Sequence, residues 1–333
     1  MRITDLGLTL EDAIHFYGEE AGALTQAASH HLATPGKRTR SQLLFAASSK
    51  PINLELLAHS GAAIELIHEA SVVHDDIQDR TEYRRGEPSV WQKFGANTAL
   101  LLGDHFVSAA FRAIAEVDVN SSMHAKLLIM MSQAISRAAS GQHLQLSSTI
   151  QSADLTKIYT EVAVSKTGAF IALPLQFSNL IGHDQTLNTE PARLCGEQLG
   201  LAYQILDDLR PFATPTTLVN DEDIIGKVIT APVAAIKSIA PSEDPFKALI
   251  RQTSHRDLAL DLCRIWQTQA ITRAVEYAAK LPAHTSAVIK KFIDERLKND
   301  ASMSTPNAAN TIQLPHRANQ RWPNNRTKST KVI

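Results

Sequence analysis

The chain has 333 residues, 44% of them hydrophobic and 20% charged, a globular composition long enough to bury a full core. Lys+Arg 33 against Asp+Glu 34 gives a formal net charge of -1, so no global field recruits nucleic acid or acidic lipid, and any phosphate recognition has to be local. Cys195 and Cys263 lie far apart with no metal-like spacing, which gives no support for a disulfide framework and fits reduced thiols.

The N-terminal Met-Arg-Ile-Thr-Asp carries an acid too early for a signal peptide. No apolar run approaches the roughly 18 residues of a spanning helix, so a soluble, cytoplasmic protein is expected. Apolar residues recur at three- and four-residue spacing over 11–32, 38–49, 52–80, 97–116, 122–146, 154–181, 191–210, 256–280 and 284–298. Alternating strand patterns are hard to find, and the periodicity predicts an all-α chain. Breaks fall at Thr34-Pro35-Gly36, Lys50-Pro51, Gly86-Glu87-Pro88 and between Pro211 and Pro215. Segments 52–80, 154–181 and 191–210 are apolar over most of their circumference, as central helices of a large bundle should be, so acids on them should face an internal cavity. No linker divides 1–300, which is expected to form one domain. From 301 the composition turns to Asn, Pro, Thr, Ser and Gln, with Arg317, Arg321, Arg326, Lys328 and Lys331 and no acid after Asp300. A disordered, basic tail 301–333 follows, with at most peripheral membrane contact.

The polar residues that interrupt these helices carry the chemistry. Gly36-Lys37-Arg38-Thr39-Arg40 opens a helix, so backbone N–H groups add to three cations as an anion site. His68, Asp75 and Asp79 are seven and four residues apart and share one face. An isolated acidic pair at this spacing is usually a solvated surface, but the lead-in Ala62-Ala63-Ile64-Glu65-Leu66-Ile67 is too apolar for that, and buried carboxylates need a cation or a proton. Arg84-Arg85-Gly86 follows at close range, and the guanidinium fork suits phosphate oxygens. Acids and a phosphate coexist if a divalent metal sits between them, so the segment reads as a metal-diphosphate site. Lys166-Thr167 interrupts a further apolar helix, where a buried lysine needs an anionic partner. Gln204, Asp207 and Asp208 repeat the acidic theme, so two acidic helices could share metals. Nucleotide-binding glycine loops, a Gly-x-Ser-x-Gly elbow and His-Glu-x-x-His zinc spacing do not occur. A His-Asp phosphohydrolase would explain His74-Asp75 but neither Arg84-Arg85 nor Asp207-Asp208.

In this order, GKRTR, IHEASVVHDDIQDRTEYRRGEPS, FGANTALLLGD, GQHLQL, SKTG and LGLAYQILDD resemble the trans-isoprenyl (polyprenyl) diphosphate synthases over roughly residues 30–240. The resemblance implies a homodimer of the isoprenoid-synthase type, a large helical bundle around a deep central cavity. It implies that Asp75, Asp76 and Asp79, the first aspartate motif, hold Mg²⁺ against an allylic diphosphate. Arg84 would contact that diphosphate, and Arg85, Lys37, Arg40 and His68 would hold isopentenyl diphosphate. Lys166, Thr167 and Gln204 would line the allylic pocket, and Asp207 and Asp208 would complete the metal site. The small Ala70 and Ser71, just before the first motif, would leave the product tunnel open, implying a product of about C20 or longer.

Two departures stand out. The fifth position of the second motif is Pro211, preceded by Arg210; proline cannot ligate a metal and ends the helix there, and Arg210 is spaced to pair with Asp207. Of the lysines the family carries after this motif, Lys227 is expected to stand in for one. The second motif therefore looks weakened. Two other readings stand beside chain elongation: a terpene-cyclase-like enzyme acting on one allylic diphosphate, and a weakly active or regulatory subunit of a heteromeric synthase.

Overall fold

The structure is a computed structural model that describes residues 3–49, 53–182, 188–213, 218, 222–251 and 254–298. The predicted tail 301–333 lies outside the described residues. The helices are α1 (Ile3–Glu19), α2 (Thr25–Leu32), α3 (Thr39–Ala47), α4 (Leu54–Gln78), α5 (Val90–Phe94), α6 (Ala96–Ala115), α7 (Ser121–Ser147) and α8 (Leu155–Ala163). They continue with α9 (Ala169–Gly182), α10 (Glu190–Leu209), α11 (Glu222–Ile225), α12 (Ala231–Ile239), α13 (Pro245–Ile250), α14 (Ser254–Ala278) and α15 (Ala283–Ile293). The all-α expectation holds, and the long predicted helices fall within a few residues of their observed bounds.

The differences have local causes. Segment 11–32 is two helices, parted where Gly22 takes φ +56. Helices α5, α11, α12 and α13 escape the periodicity because they are too short to establish it. The strands described are a two-residue pair, Tyr83–Arg84 against Glu87–Pro88, with Arg85 and Gly86 at the turn with φ 55 and 86, the geometry that suits a tight hairpin.

Helix α4 begins where the Asn53 side chain accepts from the Glu55 and Leu56 N–H groups at 3.0 and 3.2 Å, an N-cap of the ordinary kind. It packs against α1, α3, α6 and α9, while α10 packs against α9 and α14. Helix α9 is the shared wall. Its Ile171 and Leu175 belong to the core built around α10, α12 and α14, and its Leu173 and Phe177 to the core around α1, α4 and α6. Leu173, Leu175 and Phe177 are each 0% exposed, burial that contributes about 2 kcal/mol per side chain before entropy is subtracted. A helix buried on all sides must be largely apolar, as α9 is apart from Gln176, Ser178 and Asn179 near its end.

Between α8 and α9 the chain makes a π-helical turn, Val164–Gly168. Helix α10 crosses it closely: a Cβ on Gly200 would lie 2.4 Å from the Gly168 Cα, so glycine is needed at the crossing. Helix α6 is long and apolar enough to cross a membrane by length and composition, where the periodicity gave no such run. Its Leu102, Phe106, Ala110 and Ile114 are at 0% exposure in the core with α4, the placement of a core helix. Leu100 and Leu101, on its other side, are 52% and 54% exposed.

Candidate active site

Helices α4, α6, α7, α9 and α10 and the π turn enclose a cavity of about 500 Å³. Ile67, Ala70, Val107, Ile135, Leu146 and Phe170 supply its apolar wall; Arg40, His68, Asp75, Lys166, Thr167 and Gln204 supply its polar groups. Ala70 is buried and Ser71 half-buried on this wall, and the Ser71 hydroxyl turns back to donate to the His68 carbonyl at 2.7 Å. The cavity is an apolar chamber with concentrated charge, as an amphipathic ligand requires.

The π turn delivers Lys166 and Thr167. Such a turn inserts an extra residue and re-aims the side chains beside it. Lys166 Nζ donates to Gln145 Oε1 at 2.9 Å and stands 3.7 Å from Asp75 Oδ2. Burial raises the Asp75 carboxyl above its usual range; Lys166 pulls it down, and Asp79 pushes it up again. Thr167 Oγ1 donates to Gln204 Oε1 at 2.8 Å, and Gln204 Nε2 donates to Asp208 Oδ1 at 2.9 Å.

Arg40, at the start of α3, and His68, on α4, face the cavity together. Among the described residues, the Arg40 Nε and His68 Nδ1 atoms are buried without a hydrogen-bond partner. Desolvation lowers the pKa of both, and Arg40 adds to the effect on His68, which is held neutral. Unsatisfied buried donors are costly and need a reason; an anion entering the cavity supplies one. The helix-dipole reading of this segment is corrected in part. Glu65 already accepts from the Ser41 N–H at 2.9 Å and from its hydroxyl at 2.8 Å, so an acid occupies part of the first turn of α3.

Several predicted site residues do not line this cavity. Asp76 is 1% exposed and faces the hairpin, where Arg84 Nε donates to its Oδ1 at 2.9 Å and the adjoining NH2 makes a second contact. Arg85 NH2 meets Glu69 at 3.1 and 3.2 Å, and its NH1 donates to the Thr34 carbonyl at 2.8 Å. Both arginines therefore sit on acids of α4. Asp79 caps the end of α4, its N–H on the Asp75 carbonyl at 2.8 Å. Lys37 and Lys227 are exposed, Lys227 with φ 54.

The second acidic helix is built differently from expectation. Asp207 is paired with Arg210, as their spacing suggested. Asp208 is buried, and besides Gln204 it accepts from the Ala231 N–H at 2.8 Å, so it ties α10 to the start of α12. Both its oxygens are engaged within the protein, whereas Asp207 is exposed and held by Arg210. Burial pushes Asp208 up to about 7 against the opposing pull of these donors. Helix α10 ends at Leu209 and Pro211 lies in a 3₁₀ turn, Arg210–Ala213, beyond the helix that carries Asp207 and Asp208.

Residues that the motifs did not single out complete the picture. Glu69, His31 and Arg38 form a buried charged cluster behind Arg85, and Gln142 donates to Gln78 at 2.7 Å on the cavity wall. A signal for the cluster existed: Glu65 and Glu69 are spaced one turn apart on a helix otherwise apolar there.

Among the described residues no three of His, Cys, Asp or Glu converge into a closed metal cage. Mg²⁺ does not need one; it takes one or two carboxylates, water and substrate phosphates. A half-buried Asp75, raised in pKa and crowded by Asp79, fits such an open site.

Comparison with known proteins agrees with this geometry. The polyprenyl synthetase family pattern matches residues 22–263. The chain is 29% identical over 194 residues to the geranylgeranyl diphosphate synthase of Methanosarcina mazei, covering 58% of each protein. It is 27% identical over 274 residues to heptaprenyl diphosphate synthase component 2 of Geobacillus stearothermophilus, covering 81% of this chain and 84% of that one. The crystal structure of the geranylgeranyl pyrophosphate synthetase of Pyrococcus horikoshii superposes with a TM-score of 0.73 at 27% identity, covering 89% and 97% of the two chains. The match spans under two thirds of the first curated relatives' own length, 58% in the Methanosarcina protein.

Proposed function

Because this chain belongs to the polyprenyl synthetase family, we propose that it joins an allylic diphosphate to isopentenyl diphosphate and makes a prenyl diphosphate of about C20 or longer. The observation that carries this reading is one cavity of about 500 Å³ with two charged groupings and an apolar wall: Asp75 with Lys166, Arg40 with His68, and Ala70, Ser71 and Phe170 between α4 and α9.

Asp75 and Asp79 would hold Mg²⁺, which supplies charge neutralisation for a departing diphosphate. Lys166 adds a fixed cation where that charge develops, and Thr167 and Gln204 fix the neighbouring edge of the pocket. Arg40 and His68 bind the second diphosphate. Ionisation leaves an allylic cation, the isopentenyl double bond attacks it, and the released diphosphate takes the proton. The apolar wall excludes water, which would quench the cation, and houses the growing chain. Ala70 and Ser71 are too small to block it. Leu100 and Leu101 on α6 and Ile129 on α7 are apolar side chains at 52%, 54% and 55% exposure that a second copy of the chain would cover, and a homodimer belongs to this reading.

A second reading has one observation in its favour. Arg210 on Asp207 and the engaged Asp208 leave the second acidic helix poor in open carboxylate, which suits a subunit that works with a partner. The experiment that separates the two is incubation of the purified protein with Mg²⁺, isopentenyl diphosphate and each of geranyl, farnesyl and geranylgeranyl diphosphate, with products identified by mass. Elongated diphosphates support the synthase. Hydrocarbon from a single allylic substrate would point to a cyclase, and no turnover until a partner is added would point to the subunit.

A further inference from the structure

Glu69 follows His68 on α4 and is 0% exposed, yet the reaction proposed above makes no use of it. A carboxylate buried so completely must be matched by donors. Donors from separate segments converge on it: His31 Nε2 of α2 at 2.8 Å, Arg38 NH1 at 2.8 Å, and Arg85 NH2 of the hairpin turn at 3.1 and 3.2 Å. Both arginines sit on left-handed backbone, Arg38 with φ 48 and Arg85 with φ 55, a conformation that such residues hold only where the surroundings enforce it.

The same contacts lace the two basic segments together. Arg85 reaches the Thr34 carbonyl at 2.8 Å, and its guanidinium packs on Gly36, where a Cβ would lie 3.0 Å from NH2. Arg38 opens α3 two residues before Arg40 and is braced on its other side by Glu11 at 2.8 and 3.0 Å. The charge of Arg85 is felt at both Arg40 and His68, so it stands beside the anion-binding end of the cavity. Burial opposes ionisation of Glu69, but the His31 hydrogen bond and the Arg85 guanidinium outweigh it and keep the carboxyl well below its usual range.

We propose that Glu69 is a positioning residue for the isopentenyl diphosphate subsite: it pins Arg85 and, through Arg38, the start of α3 that carries Arg40, in the strained geometry that receives the diphosphate. The inference rests on the prenyl-transfer reading. Its opposite is also physical: if Glu69 merely neutralised Arg85, removing its charge would release the arginine and tighten binding.

The test is steady-state kinetics of the wild type, Glu69→Gln and Asp76→Asn, with both substrates varied and thermal melts to confirm folding. Glu69→Gln is expected to raise the KM for isopentenyl diphosphate about tenfold or more, with kcat and the allylic KM changed less than about threefold. Asp76→Asn, which loosens Arg84, should shift the balance toward the allylic KM. An isopentenyl KM that is unchanged or lower in folded Glu69→Gln, or a uniform loss affecting both substrates alike, overturns the inference while leaving the reaction intact. A wild type that neither turns over nor binds isopentenyl diphosphate by calorimetry overturns the reaction and the inference with it.

Discussion

Asp75 and Asp76 are neighbours in sequence but serve different surfaces of α4: Asp75 lines the cavity 3.7 Å from Lys166 Nζ, whereas Asp76 is buried against Arg84. Helical geometry requires this, since consecutive residues are set about 100° apart. Glu65, Glu69 and Asp76 fall on one stripe and hold Ser41, Arg38, Arg85 and Arg84. His68, Ser71 and Asp75 fall on the other and face the cavity. One stripe shapes the basic segments and the other meets the ligand.

Lys166→Met tests the cavity stripe. Burial raises the Asp75 carboxyl and Lys166 is the main influence lowering it, so removing the lysine raises it further, and a higher pH is needed to ionise the group. The acid limb of the pH-rate profile should move to higher pH, and kcat/KM should fall roughly 100-fold through loss of a fixed cation at the developing charge. An unmoved acid limb would show that Lys166 does not govern the ionisation of Asp75.

Arg210→Ala tests the second acidic helix. Arg210 and Asp207 are 45% and 47% exposed, so the pair is screened and its net worth is small. Releasing Asp207 should lower the Mg²⁺ concentration for half-maximal rate by roughly two- to fivefold, read from Mg²⁺ titrations at saturating substrate. Pro211→Asp should do less, because position 211 lies in the 3₁₀ turn beyond α10. A larger effect at 211 than at 210 would reverse this account.

Much of this arrangement was legible in the chain. The helices α4, α9 and α10 are legible because apolar residues fill most of their circumference, and Arg40, His68, Asp75, Lys166, Thr167 and Gln204 do meet in one cavity. What escaped was the division of labour among charges. Asp76 and Asp208 have the composition of metal ligands, but rotation about the helix axis turns Asp76 to Arg84, and the Ala231 N–H, 23 residues on, claims Asp208. Glu69 escaped because its partners His31, Arg38 and Arg85 come from segments that only the folded chain brings together.

Asp208 makes a prediction about stability. Its carboxyl is pushed up to about 7 by burial, above its value in the unfolded chain, so the folded state binds this proton more tightly. The contribution is fullest below about pH 4, declines as pH rises toward 7 and is flat beyond. The three-unit difference corresponds to about 4 kcal/mol. In urea unfolding between pH 4.5 and 7.5, the stability of the wild type relative to Asp208→Asn should fall by a few kcal/mol. Parallel curves for the two proteins would show that another group carries the slope.

The exposed Leu100, Leu101 and Ile129 make a prediction about assembly. Leu101→Glu puts a charge into any self-contact across α6 without touching the core face of Leu102 and Phe106, and should convert a dimer to monomer by light scattering. The Leu100 carbonyl lies 3.2 Å from His74 Nε2 on the cavity side, so monomer formation should also reduce turnover. A wild type that is already monomeric at micromolar concentration would remove the surface from this role.

On the prenyl-transfer reading, product length is set by the wall beside the first aspartates. Ser71 lies one turn before Asp75 on the cavity stripe and is half-buried, whereas Ala70 is 2% exposed and packed in the core. A phenylalanine at 71 can extend into the cavity; one at 70 must displace core side chains, at a cost of typically 1–3 kcal/mol. Ser71→Phe should therefore shift the longest product to fewer isoprene units, with the first addition slowed less than about tenfold because the diphosphate groups are held elsewhere. Ala70→Phe should lower the melting temperature as well as shorten the product. Mass analysis of products at long incubation checks both. If Ser71→Phe makes the same distribution as the wild type, the growing chain does not run past position 71, and the depth of the cavity must be set from α7 or α9, where Ile135 and Phe170 face it.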